Sequence, residues 1–291
     1  MTILQTQNLK ICIGQFVFLF LLSGCVSSLV SNTAVNFSES MTSAILNQSD
    51  PELVRDGAPS YLLLMDGLIE SNPRDSGILS SAGVLYSMYA SVFAEDLKRR
   101  SILTDRAKHY SSRALCMDYK PSCNWQGMPF DKYEETLNGL TKENSRAVYS
   151  YGFSWLAWIR AHSSDYKALT YLPYAEALLE RYLDISNEVD QANIHIFLGI
   201  LKSLLPSGLG GETELARKHF ERAIELSQGN DLSAKVEFAD TYAKLIYDRE
   251  LHDSLLREVV NANPQKDGLT LTNILAQERA EEMLLMSDDY F

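Results

Sequence analysis

Ile78-Leu79-Ser80-Ser81-Ala82-Gly83-Val84-Leu85-Tyr86-Ser87-Met88-Tyr89 decides the fold. Its bulky apolar residues, Ile78, Leu79, Leu85, Tyr86 and Tyr89, recur at three-to-four spacing with Ala82 among them, which is the period of one helix face. Just upstream lies Ser71-Asn72-Pro73-Arg74-Asp75. Pro73 cannot donate in a helix interior and drives Asn72 out of the helical region, so one helix ends there. Asp75 or Ser76 can cap the next helix. Before the break, Leu62, Met65, Leu68 and Ile69 form another apolar stripe, and Ala262-Asn263-Pro264 repeats the same punctuation. From Pro51 onward there is no convincing period-two strand. Short turns between helices of this length give antiparallel helical hairpins, so the expected fold class is all-α.

Spacing within these helices repeats. Leu79-x2-Ala82-Gly83-x2-Tyr86 has the same pattern as Val148-x2-Tyr151-Gly152-x2-Trp155. Ala216-x3-Phe220-x2-Ala223 supplies the small-aromatic-small pattern of a second helix, and Ala107-x3-Ser111-x2-Ala114 is a weaker version. Small residues let two helices approach closely while aromatics fill the space beside them. This pattern resembles the tetratricopeptide (TPR) repeat, and implies TPR-like hairpins arranged as an α-solenoid or superhelical bundle over residues 51–291. Interruptions fall near Glu95 to Ser101 and Gly208 to Gly211. A non-repetitive helical bundle is the alternative.

The N-terminus reads differently. Lys10 is the only charge ahead of an apolar run from Ile11 to Leu22, which closes with Ser23-Gly24-Cys25. A basic start, an apolar stretch and small residues before a cysteine form a secretory signal. The run is too short for the ~20 apolar residues that span a bilayer. It resembles the lipobox of bacterial lipoproteins, which implies that residues 1–24 are removed and Cys25 is acylated. The chain would then be anchored by lipid on the periplasmic side. Val26 follows the cysteine in place of a retention-type Asp, which favours the outer membrane. Residues 25–50 read as a lipidated, flexible tether with one short helix around Met41 to Leu46.

Composition narrows the partners. The whole chain carries a net charge of −12, and the signal removes only a lysine. Such an acidic protein has no electrostatic reason to bind nucleic acid or an anionic lipid surface. A hydrophobic content of 46% argues for a folded core.

More specific strings run collinearly along the mature chain: Leu62 to Pro73, Arg113-Ala114-Leu115-Cys116, and Leu205-Pro206 through Gly210-Gly211-Glu212. Ala216 to Glu221, Leu255 to Val259 and Asn273-x-Leu275-Ala276-x3-Ala280 follow. In that order they resemble the T component associated with TRAP transporters, the TatT family. The resemblance covers Pro51 to the C-terminus. It implies a lipidated, periplasm-facing helical protein, often trimeric, that pairs with the soluble substrate-binding component of an uptake transporter. An apolar cleft for a hydrophobic organic acid is part of the same implication.

The repeat register suggests where such a cleft lies. Gly83 puts Ser80, Val84, Ser87 and Met88 on the inner face of its helix; Gly152 puts Arg146, Tyr149, Phe153 and Leu156 there. A peptide-carboxylate clamp would need several Lys, Arg and Asn at these positions. Val84, Met88, Tyr149, Phe153 and Leu156 instead form an expected apolar wall, with Arg146 as the one cationic handle. The competing reading is that Tyr149, Phe153, Trp155 and Trp158 are core filling.

Cys116 and Cys123 are an even pair in an oxidising compartment. Pro121 turns the chain between them, and a disulfide closing so small a loop would contribute about 2–3 kcal/mol. A metal site using His109 is the alternative, although no fourth ligand suggests itself. The glycines at 208, 210 and 211 lead into Glu212 where a phosphate loop would have Lys. They read as an interhelical loop. Five dispersed histidines and the absence of a Gly-x-Ser-x-Gly or His-Glu-x-x-His motif point away from an enzyme. No cofactor or metal is expected. The leading functional expectation is a non-catalytic partner of a TRAP-type uptake system; a general assembly scaffold at the outer membrane is the alternative.

Overall fold

The structure, a computed structural model, describes residues 40–204, 208 and 211–291, and every regular element among them is helical. The signal segment, Cys25, the start of the tether, and positions 205–207 and 209–210 of the glycine-rich loop lie outside the described residues. A short helix α1 covers residues 40–46, and its Met41 and Ile45 pack against the first core cluster.

Then follow α2 (Pro51–Ser71), α3 (Ser76–Val92), α4 (Leu97–Asp118), α5 (Phe130–Leu137), α6 (Ser145–Ala161), the single turn α7 (Tyr166–Leu169) and α8 (Leu172–Ile185). The second half holds α9 (Ala192–Lys202), α10 (Thr213–Leu226), α11 (Leu232–Glu237), α12 (Arg249–Asn261), α13 (Thr270–Leu285) and α14 (Ser287–Tyr290). Aspartates begin many of these helices. Asp50, Asp75, Asp96 and Asp248 each accept from the backbone N–H three residues on, at 3.1, 3.0, 2.8 and 2.9 Å. Each satisfies an amide the helix cannot, with a charge suited to its positive end.

Hairpins are the packing unit: α3 on α4, α6 on α8, α9 on α10, and α11 on α12. Glycine sets three of these contacts. A Cβ at Gly83 would come within 2.9 Å of Ser111 Cβ on α4; at Gly152, within 2.9 Å of Leu179 on α8; at Gly199, within 2.8 Å of the Phe220 ring on α10. In the fourth hairpin the fully buried Ala239 occupies the equivalent step. Gly199 escapes the sequence pattern because Lys202 stands where Tyr86 and Trp155 stand. That lysine forms ion pairs with Glu176 and Glu212 across neighbouring helices.

Three apolar clusters follow one another along the chain, around α2 to α4, α4 to α9, and α9 to α13. The two ends then meet. Asn47 donates to Asp267 at 2.9 Å and accepts from the Gly268 N–H at 2.6 Å, while Leu271 and Leu275 face Val54, Tyr61 and Tyr89. The superhelix thus closes on itself, and α3, α6, α9 and α11 surround an inner space. No helix among the described residues is long and apolar enough to cross a membrane.

Candidate functional site

Two hollows share the inner wall formed by α3 and α6. Near the start of α6 the wall is polar. Ser80, Ser81, Ser145, Ser150 and Arg146 line an open hollow of about 570 Å³, with Val84, Tyr149 and Tyr182 beside them. Arg146 donates to Ser81 Oγ at 3.2 Å. Past the middle of α6 the character changes. Phe153, Leu156 and Ala157 face Ile196, Phe197 and Ile200 of α9 across a cleft of about 440 Å³. Phe153 and Phe197 stack 5.4 Å apart and 8° from parallel, forming an aromatic wall. Asn193, whose side chain donates to Tyr149 Oη at 3.4 Å, borders the cleft on the side of the polar hollow.

The far wall comes from α11, which widens into a π-helix over Phe238–Ala243. Such π-helical turns are rare and recur at functional sites. Here the wide turn carries Asp240 and Thr241 to the cleft beside Glu237. Arg279, from α13, donates to Glu237 at 2.6 Å and pairs with Asp240. Lys244 also donates to Asp240, at 2.6 Å. Burial works against the Arg279 charge, but the two acids more than offset it and raise the guanidinium above its ordinary pKa. Burial likewise opposes the Asp240 carboxylate, whose pKa is nevertheless held low by Lys244 and Arg279. Arg160, on the last turn of α6, is exposed at the cleft and has no ion-pair partner among the described residues.

The residues expected to form one cleft are therefore distributed. Val84, Arg146 and Tyr149 line the polar hollow, whereas Phe153 and Leu156 line the apolar cleft. Met88 faces a small separate cavity between α2, α3 and α13. The reason is helical geometry: Arg146 and Phe153 share a face but lie two turns, roughly 10 Å, apart. Ser80, at the edge of the polar hollow, and Ser87 are almost fully buried against α6. Ser87 Oγ lies 2.8 Å from Gly83 O and 3.0 Å from Ser154 Oγ, so one hydroxyl donates to the carbonyl and the other to its neighbour, and Ser150 Oγ donates to Ser80 O at 2.8 Å. Trp155 is core, 3% exposed.

Two other arrangements, at Lys108 and at the His195–His219 pair, had no signal in the sequence. Lys108 Nζ sits 3.7 Å from the Trp158 ring centroid, with Trp155 and Tyr171 at 5.6 and 5.3 Å. Burial among these rings lowers its pKa to about 8, partly opposed by Asp105. His195 and His219 bring their Nδ1 atoms to 2.8 Å across the α9–α10 hairpin. Burial, then the neighbouring His219 and Arg222, lowers the His195 pKa to about 4. Cys116 and Cys123 are joined, with sulfurs 2.02 Å and Cα atoms 4.7 Å apart.

A comparison with curated proteins gave no match. The family model of TRAP transporter T-components does match, over residues 47–291, which is nearly all of the described chain. The chain belongs to the family of TRAP transporter T-components, TatT.

Proposed function

We propose that this T-component holds an apolar carboxylic acid in the cleft between α6, α9 and α11 and docks the soluble substrate-binding protein of a TRAP uptake system. Its role as a transport accessory follows from the family. The observation that carries the reading is an aromatic-walled cleft of about 440 Å³ inside a closed helical ring. Pockets of this size, mainly apolar with a few convergent polar groups, suit small ligands. Lipid attachment at Cys25 would hold the protein on the periplasmic side of a membrane, close to the soluble component it serves. Cys25→Ser should release it from the membrane fraction on detergent partitioning.

Calorimetric titration with octanoate tests the ligand half. Saturable binding that is lost when Ala157, at the cleft wall, is changed to Trp supports the reading. If no apolar acid binds the purified protein, the cleft is not its working site. An assembly scaffold without a small ligand then becomes the better account.

A further inference from the structure

Two cations and two acids line the cleft: Arg160 and Arg279, Glu237 and Asp240. The α11–α13 group is internally committed: Arg279 engages both acids, and Lys244 engages Asp240. Each acid has a cationic partner. Of the four charged lining residues, Arg160 alone has no ion-pair partner among the described residues. It shares its turn with Ile159, and Leu156 and Ala157 lead from it towards the stacked Phe153 and Phe197.

Resting on the ligand reading above, we infer that Arg160 receives the ligand's carboxylate and that the cleft selects monocarboxylates over dicarboxylates. A guanidinium offers a planar pair of donors that matches one carboxylate. One such group gives Arg160 the partner it lacks, with the alkyl tail lying against Phe153, Phe197 and Ile196. A second carboxylate on the same tail would sit among apolar side chains or beside Glu237 and Asp240, whose partners are already taken. A charge left unpaired away from water is strongly disfavoured. The negative end of the α6 dipole works against an anion at Arg160, but that effect is smaller than a charge-assisted hydrogen bond.

The test compares octanoate, octanedioate and 1-octanol on the full protein by calorimetric titration. The wild type should bind octanoate at least about tenfold more tightly than octanedioate, the size of one charge-assisted contact. Arg160→Met should lose about tenfold for octanoate and leave octanol unchanged. Arg160→Lys should recover part of the loss. Equal binding of mono- and diacid by the wild type overturns the inference, whatever the variants do. So does an Arg160→Met protein with wild-type octanoate affinity and an unchanged melt. Failure of octanoate and octanol alike to bind the wild type removes the ligand reading itself, a different outcome from losing only the head-group assignment.

Discussion

The contact between α3 and α6 is closed, whereas that between α6 and α9 is held open, although both join inner helices of adjacent hairpins. On the first, Gly83, Ser80, Ser87, Ser150 and Ser154 bring the backbones together, and the serine hydroxyls are spent on Gly83 O, Ser80 O and each other. Ser87 and Ser154 are fully buried there. On the second, Phe153 and Phe197 meet ring to ring, and the π-helical Phe238–Ala243 adds width on the far side. Small hydroxylated side chains can satisfy themselves on helix backbones and need no space. Aromatic rings cannot be compressed, so helices carrying them stand apart. The cleft lies where the chain changes from one kind of contact to the other.

The closed contact should break most severely. A Cβ at Gly83 would sit 2.8 Å from Ser150 Oγ on α6, and also 2.9 Å from Ser111 Cβ and 3.3 Å from Ala107 O, atoms fixed to the α4 backbone. Gly83→Leu should therefore cost about 3 kcal/mol, read by denaturant or thermal unfolding. At Gly152 the obstacle is Leu179 Cδ2, the free end of a side chain. Gly152→Ala should cost less than about 1 kcal/mol by rotating that leucine. Equal costs for alanine at the two glycines would mean that the backbone-fixed obstacle at Gly83 yields as readily as the Leu179 side chain on α8.

Phe153→Ala attacks the open contact. Phe153 is only half-buried, so the cost should fall below the ~3–5 kcal/mol of a fully buried ring, at about 2 kcal/mol. Octanoate affinity should drop with it, because the same ring supplies the cleft wall. Lost stability with unchanged affinity would separate the aromatic stack from the ligand.

Acidification should weaken the α9–α10 side further along the ring. The His195 pKa is lowered to about 4, chiefly by burial, and that of His219 is lowered as well. Both are lower than in the unfolded chain, where histidine titrates near 6.5. The unfolded state therefore binds more protons between about pH 6.5 and 4, and stability is lost as pH falls through that window. A melting series from pH 7.5 to 4.5 should show it, and His195→Phe should flatten it. A variant with the wild-type slope would place the titration elsewhere.

The sequence made the helices and the small steps at Gly83 and Gly152 legible, because periodicity and proline punctuation are local. Gly199 was hidden when Lys202 took the aromatic position and paired with acids on α8 and the loop before α10. The site was legible only in part for a related reason. Phe153 and Leu156 could be placed on an inner helix face by counting residues. Their partners Phe197, Asp240 and Arg279 come from α9, the π-helical turn and α13, which counting within one helix cannot bring together. Nor does periodicity indicate a π-helix: its wider turn depends on tertiary packing.

The smallest expected effect is at Arg146, and it distinguishes the two hollows most finely. Arg146 shares a face with Phe153, which made it the natural cationic handle in the sequence. In the structure it lies among Ser80, Ser81 and Ser145 and donates to Ser81, while Tyr149 and Asn193 stand between the two hollows. A carboxylate bound at Arg146 would hold its tail in the polar hollow, so the apolar cleft would gain nothing from it. Arg146→Ala should thus leave octanoate affinity within about twofold of wild type, and stability within about 0.5 kcal/mol, the usual range for an exposed side chain. The measurement is the same calorimetric titration used for Arg160→Met, with both variants in one buffer. A tenfold loss at Arg146 with none at Arg160 would reverse the assignment and put the ligand's head on the polar side of Tyr149. Comparable losses at both would mean that the two hollows act as one continuous site, with the Tyr149–Asn193 contact opening to join them.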